Sequence, residues 1–292
     1  MSRRRHRHGQ STSRDVVSII FAFFLSLFLL CISLFTSLRI GVMTTAGFNA
    51  IMDDKYYDYA LEYVQTQANY YTLPTGIDPA VLNNVFNRDE LKESIQGTIA
   101  GAFDGTGYAI NTNAMRGRLE ANVRNAFAND GVNTSGGGAA EEIVNSYVNE
   151  IDELYKSVVK MPGLDVMAQI RNLFLRYFLI GIIVLCVLAV IFLVLIMRLH
   201  HHPHRALRYV AYAAGGAALM QFVVPCVVYA SGFYKGLSLN PQYFYHFGVS
   251  LVSRALLSCM IGAVLPLVLM VVLIVVIGRL RKRSMKGHSH MR

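Results

Sequence analysis

The sequence predicts an all-α membrane protein, a four-transmembrane-helix bundle with an extracytoplasmic helical domain inserted between the first and second spans. Two observations lead to this prediction. Four apolar stretches without a charged residue are each long enough to cross a hydrocarbon core about 30 Å thick. Of the 18 acidic residues, all except Asp15 lie between Asp53 and Asp165, so acidic charge is confined to one segment.

The four apolar stretches each contain at least the roughly 20 residues that a membrane helix needs at about 1.5 Å per residue. A charge near the centre of such a helix costs about 3 kcal/mol, so the absence of charged residues is a strong indication of membrane insertion. The stretches are Val16–Leu38, Tyr177–Met197, Tyr209–Phe233 and Ala255–Gly278.

Basic residues set the orientation of the bundle, because short loops rich in Lys and Arg stay in the cytoplasm. Both tails and the loop between the second and third spans are basic, whereas the loop between the third and fourth spans has only Lys235. We therefore expect both termini in the cytoplasm. The predicted order is a basic cytoplasmic tail (1–15), transmembrane helix 1 (16–40), an acidic extracytoplasmic helical domain (41–170), transmembrane helix 2 (171–198), a cytoplasmic His/Arg loop (199–208), transmembrane helix 3 (209–233), a short extracytoplasmic loop (234–248), transmembrane helix 4 (249–278) and a basic cytoplasmic tail (279–292).

Cysteine usage indicates the compartment. Each of the four cysteines lies in one of the predicted spans, and the external segment has none. An extracytoplasmic domain that folds without disulfides suits a bacterial envelope. The predicted location is therefore the cytoplasmic membrane of a bacterium.

The external segment is predicted to be a bundle of four or five amphipathic helices, because apolar residues recur every three or four positions. Asp78 before Pro79 indicates one helix start, and Asn87 followed by Glu90 indicates another with a capping box. Breaks are expected at 72–76, 105–113, Gly131, 136–138 and 162–163. The predicted apolar faces are Phe48, Met52, Tyr56, Tyr59, Tyr63 and Tyr70; Leu91, Ile95, Ile99 and Phe103; Met115, Leu119, Val123 and Phe127; and Ile143, Tyr147, Ile151, Leu154 and Val158.

No motif in the sequence indicates catalysis. A nucleophile elbow, a zinc-binding H-E-x-x-H, a phosphate loop and a dinucleotide fingerprint are all missing, and the external segment has no histidine before His246. Most external acids fall at helix positions expected to be exposed. We therefore expect no enzyme, no cofactor and no catalytic or metal-binding residue. A membrane-embedded enzyme stays open as an alternative, which a buried pair of external acids would favour.

Five polar residues in or beside the spans are candidates for a functional role. Gln221, near Pro225, can bond to a neighbouring helix or line a polar path. Four arginines near the outer ends of the spans can form a basic ring beneath the acidic domain. They either snorkel toward lipid headgroups or pair with external carboxylates. The arginines are Arg39, Arg171, Arg176 and Arg254.

Small residues and prolines predict how the spans pack. Span three is rich in Ala and Gly between Ala211 and Ala218, and span four has Ser258 and Gly262 at small-xxx-small spacing, which lets helices approach closely. Pro225 and Pro266 are expected to kink their helices.

Histidines cluster in the 199–208 loop and in both tails, a composition that can bind Ni²⁺ or Zn²⁺. Because no cysteine or carboxylate is near them in the sequence, we expect a basic, lipid-facing patch instead. These histidines are His6, His8, His200, His201, His202, His204, His288 and His290.

The function is predicted from topology and composition. The net charge of +9 comes from scattered membrane flanks, which argues against nucleic-acid binding. The first hypothesis is a non-enzymatic protein whose external domain binds another membrane or envelope protein, or a ligand, and is anchored and coupled to the inside by the bundle. Self-association into a homo-oligomer stays open, as does a free-standing channel or transporter.

Two resemblances accompany this hypothesis. The order of the elements is similar to that of the FtsX and MacB class of permeases, which have one span, a large external domain and three further spans. In addition, His204–Tyr209 resembles the charged coupling helix of that class. This resemblance implies a transport or mechanotransmission subunit that works with a separate ATPase. The external helical domain also resembles the sensor regions of bacterial receptors.

Overall fold

A computed structural model describes the backbone of residues 2–132, 138–200 and 203–289, and the side chains of 14–132, 138–200 and 203–280. Within these residues every regular element is helical, and four helical segments are long and apolar enough to cross a membrane. The all-helical class and the four candidate spans are thus confirmed. The helices are α1 (Ser2–Gly41), α2 (Thr45–Asn49), α3 (Asp54–Thr72), α4 (Arg88–Asp104), α5 (Asn113–Asn129), α6 (Ala139–Val159), α7 (Leu164–Leu199), α8 (Pro203–Ser231), α9 (Gln242–Gly262) and α10 (Val264–Ser289).

The chain forms two compact units, each described by itself. The span unit comprises Met1–Thr44, Phe174–Gly236 and Val252–Arg292, which contain the four uncharged stretches. The acidic unit comprises Thr45–Leu173 and Leu237–Leu251 and holds every acidic residue except Asp15.

The small residues of α8 let it pack closely within the span unit. Ala206, Ala213, Ala214 and Ala217 are at most 2% exposed. A Cβ added at Gly216 would lie 3.0 Å from Ser26 Oγ of α1. Helices approach this closely in lipid only where side chains are small, so the Ala- and Gly-rich sequence positions α8 against α1.

Aromatic rings pack α1 against α7 in the same unit. The rings of Phe21, Phe24 and Phe28 lie 5.4–5.6 Å from that of Phe192, centroid to centroid. These separations are typical of favourable aromatic pairs. The aromatic side chains thus fill the space between the two helices at this level.

The fourth predicted span differs from the sequence expectation, because it is divided between two helices. Helix α9 ends at Gly262 and α10 begins at Val264, so Pro266 lies in the first turn of α10. The N–H groups of a first turn have no partner within their helix, so proline loses no hydrogen bond there. Pro266 therefore lies in a first helical turn rather than inside a helix, and the kink expected there stays a prediction. Pro225, by contrast, does lie inside α8.

Helix starts in the acidic unit follow local signals. The Asp78 carboxylate accepts a hydrogen bond from the Ala80 N–H (2.9 Å), and the Asn87 side chain accepts one from the Asp89 N–H (2.8 Å), so both predicted starts are confirmed. The predicted capping box is wrong. The Glu90 carboxylate instead accepts two hydrogen bonds from Arg118 of α5, because that contact neutralises the carboxylate.

Two apolar faces are shifted from the predicted ones. Helix α3 begins at Asp54, after the separate short helix α2, and its buried centre is formed by Ala60, Val64 and Ala68 while Tyr70 is 63% exposed. Small residues occupy the buried centre of α3 because the neighbouring helices lie close to it. In α6, Ile143 is 46% exposed, because the buried face begins about 100° further round the helix. That face consists of Val144, Tyr147, Val148, Ile151, Tyr155 and Val158.

The segment predicted as the short loop 234–248 differs in the structure. Helix α9 begins within it at Gln242, and its first turns belong to the acidic unit. Tyr243 and Phe247 are 3% and 1% exposed, and the ring of Phe247 lies 5.5 Å from that of Phe48. The core of the acidic unit is therefore completed by a segment almost 200 residues away along the chain from Phe48.

Candidate functional site

The span unit contains a buried polar cluster around Gln221, whose side chain is 2% exposed in α8. The Gln221 amide oxygen accepts a hydrogen bond from Ser33 Oγ, and its amide nitrogen donates one to Ser37 Oγ at 3.4 Å. Ser37 Oγ also donates to the Ser33 carbonyl at 2.7 Å. We call Gln221, Ser33 and Ser37 the polar node. It joins α8 to α1 by side-chain hydrogen bonds, one of the two roles considered for Gln221.

Pro225 adds a second feature at the same level of α8. Proline has no N–H, so the Gln221 carbonyl lacks the donor that the residue four positions later normally provides. At the polar node, α8 thus has both a buried amide side chain and a backbone carbonyl that lacks its usual hydrogen bond within the helix.

Beside the polar node, α1 and α9 cross at very close range. Ser37–Gly41 in α1 and Ser258–Gly262 in α9 both read Ser-x-x-Ile-Gly, and they face each other in opposite order. A Cβ at Gly41 would overlap Ser258 Oγ, and one at Gly262 would overlap Ser37 Oγ. The sequence predicts close packing at Ser258 and Gly262, but it does not by itself identify Ser37–Gly41 of α1 as the segment that they contact. The repeated five-residue pattern is the signal that could have revealed it.

A crevice of about 790 Å³ opens next to this crossing, between α1, α9 and α10. Its lining is apolar except for Arg254 and four hydroxyl-bearing residues. The Thr36 and Ser258 hydroxyls donate to the carbonyls four residues before them, at 2.7 and 2.8 Å, which satisfies the hydroxyl protons within their own helices. Arg254 is therefore the main free donor among the residues described around the crevice.

The four arginines of the predicted basic ring have different surroundings. The guanidinium carbon of Arg39 lies 4.5 Å from the centroid of the Phe178 ring, and that of Arg176 lies 6.0 Å from the Tyr177 ring. Such contacts are favourable between a cation and an aromatic face. Arg254 has no ring contact or ion pair with any residue that the structure describes, and it lines the crevice.

Arg171 belongs to the acidic unit rather than the span unit. Its guanidinium carbon lies 4.4 Å from the Phe103 ring centroid, and its Nη1 donates to the Phe103 carbonyl at 3.2 Å. The basic ring that would include all four arginines stays a prediction.

A histidine–carboxylate pair lies within the acidic unit. His246 Nε2 and Asp53 Oδ1 are 2.8 Å apart, and the His246 ring packs edge-on against Tyr59 at 5.6 Å. Asp53 Oδ1 also accepts the Tyr56 N–H at 3.0 Å and so caps α3. The pair fastens the start of α9 to the start of α3. Among the described residues no hydroxyl or thiol is hydrogen-bonded to His246, so a nucleophile–base–acid triad is not assembled there.

Asp152 is the one acidic residue with a buried side chain in the part of the chain described, and its burial was not predicted. Its Oδ2 lies 2.7 Å from Arg116 Nη1 and 2.8 Å from Lys156 Nζ. Asp152 lies in α6, outside the uncharged stretch of α7. Burial alone would raise the pKa of this carboxyl, but hydrogen bonds with Lys156, Thr112 and Arg116 bring the pKa below its ordinary value.

A depressed pKa keeps Asp152 ionised at neutral pH, which suits an anchor between α5 and α6 rather than a general acid. The second buried carboxylate that would have favoured an enzyme is not found among the residues described.

At the other end of the span unit, Asp15 lies beside the start of α8. The Tyr209 hydroxyl donates to Asp15 Oδ1 at 3.2 Å, and His200 Nε2 lies 3.9 Å from the same oxygen. No carboxylate is near His200 in the sequence, but folding brings Asp15 of α1 next to the α7–α8 connection. Among described residues no group of three His, Cys, Asp or Glu could hold a metal ion. The side chains of the other histidines in the prediction lie outside those described, and these residues are His6, His8, His201, His202, His288 and His290.

The segment that resembles a coupling helix, His204–Tyr209, forms the first turns of α8 rather than a helix of its own. The permease resemblance therefore rests on topology. Comparisons of the chain with models of protein families, with curated proteins and with solved structures found no match. The class defined by the fold is an all-helical protein with four helices long and apolar enough to cross a membrane.

Proposed function

We propose that this chain is a non-enzymatic integral protein of a bacterial cytoplasmic membrane, with both termini inside. The acidic unit lies outside and binds another protein of the envelope. Support for the orientation comes from the charge distribution, because basic residues flank the spans at one end and acidic residues gather at the other.

The observation that carries the binding proposal is an exposed apolar end of the acidic unit. Tyr70 is 63% exposed, Tyr71 40% and Leu73 65%, all at the end of α3 or just beyond it. Clustered apolar side chains at a surface often mark an interaction site, and tyrosine is enriched among residues that dominate binding energy. We call Tyr70, Tyr71 and Leu73 the apolar tip.

A buried contact between α3 and α6 fixes the position of the apolar tip. Thr72, between the exposed residues, is fully buried, and its hydroxyl lies 2.6 Å from the Tyr147 hydroxyl of α6. Ile143, one turn before Tyr147 in α6, is also exposed. A rigid apolar surface loses little conformational entropy on binding.

Helix α7 provides the coupling in this proposal. It runs without interruption from Leu164 to Leu199 and contains the second predicted span. A continuous helix of this kind can carry a change of position at the acidic unit along the second span. Binding outside would thereby be relayed to the α7–α8 connection.

The orientation is tested by labelling single cysteines in a chain whose four native cysteines are replaced by alanine. A membrane-impermeant maleimide should label Glu150→Cys in intact spheroplasts, because Glu150 is exposed in the acidic unit. It should label Arg205→Cys only after lysis. The reverse pattern would overturn the orientation and the binding proposal with it.

Partner binding is tested by placing a photo-crosslinking amino acid at Tyr71 in native membranes. Tyr108 is the matched control, since it is also a tyrosine of the acidic unit and is 41% exposed against 40% for Tyr71. We expect a discrete protein adduct from position 71 that is weaker or missing from position 108. Leu73→Asp should remove the adduct without changing helicity, because Leu73 is exposed. Equal adducts from both positions, or none from either, would contradict the proposal.

A further inference from the structure

We propose that the crevice between α1, α9 and α10 binds one anionic phospholipid of the surrounding membrane. This inference concerns the span unit and goes beyond partner binding by the acidic unit. The crevice volume of about 790 Å³ lies within the range of about 300–1,000 Å³ that is typical of small-molecule sites. Its lining combines one cationic residue, Arg254, and four hydroxyl-bearing residues with an apolar remainder that includes Val268.

Arg254 supplies the recognition of the headgroup. A guanidinium can donate two parallel hydrogen bonds to a phosphate, and its charge complements the negative charge of the phosphodiester. Arg39 and Arg176 of the same unit each face an aromatic ring, whereas Arg254 faces the crevice. The oxygen of Ser258, one turn after Arg254, already has its proton bonded within α9, so it can accept a hydrogen bond from a headgroup hydroxyl.

The remaining lining suits an acyl chain. Ile261, Leu265 and Val268 line the crevice and are 71%, 65% and 54% exposed. Arg254 lies in α9 and Val268 in α10, so the crevice lining extends from the cationic residue across the α9–α10 junction to apolar residues. A headgroup bound at Arg254 would therefore have apolar lining available for its acyl chain.

The close crossing of α1 and α9 keeps the crevice open. Gly41 and Gly262 fix the two helices at short range, and the polar node fastens α1 to α8 beside them. The walls are thus set by contacts within the protein rather than by the lipid. A preformed site loses less free energy on binding than one that must be ordered by its ligand.

The test measures lipid retention by the full-length protein in native mass spectrometry. The protein, purified in mild detergent, is mixed with equal amounts of phosphatidylglycerol and phosphatidylcholine of identical acyl chains. We expect one phosphatidylglycerol to be retained in preference to phosphatidylcholine. Arg254→Gln should reduce that preference about tenfold, which corresponds to about 1.4 kcal/mol. Arg176→Gln is the matched control, with the same loss of charge outside the crevice, and should keep the preference.

A second variant separates lipid binding from an effect of charge on folding. Ile261→Trp keeps every charge and fills the apolar part of the crevice, so it should lower phosphatidylglycerol retention while the thermal melting temperature is unchanged. No preference in the wild type, or equal loss in Arg254→Gln and Arg176→Gln, would overturn the proposal. So would full retention by Ile261→Trp.

The occupant is identified by a photo-crosslinking residue at Leu265 in living cells. We expect an adduct whose added mass is that of an anionic phospholipid. An adduct with a second copy of the chain, or with another protein, would assign the crevice to a protein interface and overturn the lipid site. Since these experiments use the span unit, their outcome is independent of the adduct expected at Tyr71.

Discussion

Gly262 of α9 lies so close to Ser37 of α1 that no side-chain carbon could be placed on the glycine without overlapping the serine hydroxyl. The same relationship recurs one turn away, where Gly41 of α1 meets Ser258 of α9. The two helices therefore meet through glycines that alternate between them. This reciprocal contact positions both the polar node and the crevice.

Replacing Gly262 by leucine is expected to destabilise the span unit by about 1–3 kcal/mol, the usual effect of overfilling a packed contact. Thermal unfolding in detergent would measure this. Gly278→Leu is the matched control, because a Cβ at Gly278 has no atom within 4 Å and the same substitution should have little effect. A similar loss of stability in both variants would contradict the close crossing.

The reciprocal arrangement also predicts a rescue. Gly41→Ser alone should destabilise the protein, because the new side chain overlaps Ser258. Combining it with Ser258→Gly exchanges the two residues and restores the space, so the double variant should be more stable than Gly41→Ser. If the second substitution made the protein less stable instead, the two positions would not be in contact.

The polar node is tested by a double-mutant cycle. Gln221→Leu should lower stability by about 0.6–2 kcal/mol, which is the range for side-chain hydrogen bonds between membrane helices. Ser33→Ala and Ser37→Ala together should have a similar effect. In the triple variant the losses should not add, since all three residues belong to one network. Additive losses would show that Gln221 stabilises the protein by other contacts.

Two buried tyrosines of the acidic unit should respond oppositely to loss of their hydroxyl. Tyr56 is fully buried, and its hydroxyl has no hydrogen-bond partner among the described residues, whereas the Tyr147 hydroxyl meets Thr72 at 2.6 Å. An unpaired buried hydroxyl is unfavourable, so Tyr56→Phe should be neutral or stabilise by up to about 1 kcal/mol. Tyr147→Phe should destabilise by about 1 kcal/mol. Chemical denaturation would compare them, and equal destabilisation would contradict the difference.

Asp152 gives a prediction for pH. Its pKa is lowered in the folded state, so its contribution to stability is present above the ordinary carboxyl pKa of about 4 and disappears as pH falls through the lower folded value. Asp152→Asn should therefore be less stable than the wild type at pH 7, by roughly 1–3 kcal/mol, with the difference shrinking below about pH 4.

Glu153→Gln serves as the control for this experiment. Glu153 also pairs with Lys156, but its side chain is 74% exposed, so its loss should change stability by less than about 0.5 kcal/mol. A pH-independent difference between Asp152→Asn and the wild type would show that the carboxylate charge is not what stabilises α5 against α6.

Much of the fold could be predicted because it depends on local signals. The caps at Asp78 and Asn87 and the uncharged stretches are each properties of a few neighbouring residues. The features that the sequence did not reveal depend on residues far apart in the chain. Asp152 lies with Arg116, and Phe247 with Phe48, only after the helices pack.

The candidate site was predictable in part for the same reason. Gln221 is notable by itself, as a polar residue within an apolar stretch. Its partners Ser33 and Ser37 are ordinary serines in α1, and only the packing of α1 against α8 selects them. Arg254 was one of four similar arginines, and the crevice that distinguishes it requires three helices to be in place.

The first turns of α9 have a practical consequence for preparing the acidic unit as an isolated soluble fragment. Residues 45–173 form a continuous stretch, yet a polypeptide cut at those ends would lack Tyr243 and Phe247. Tyr56 and Phe48 would then present bare aromatic rings to water, and Asp53 would lose His246. A soluble fragment of the acidic unit should therefore carry residues 237–251 on a short tether.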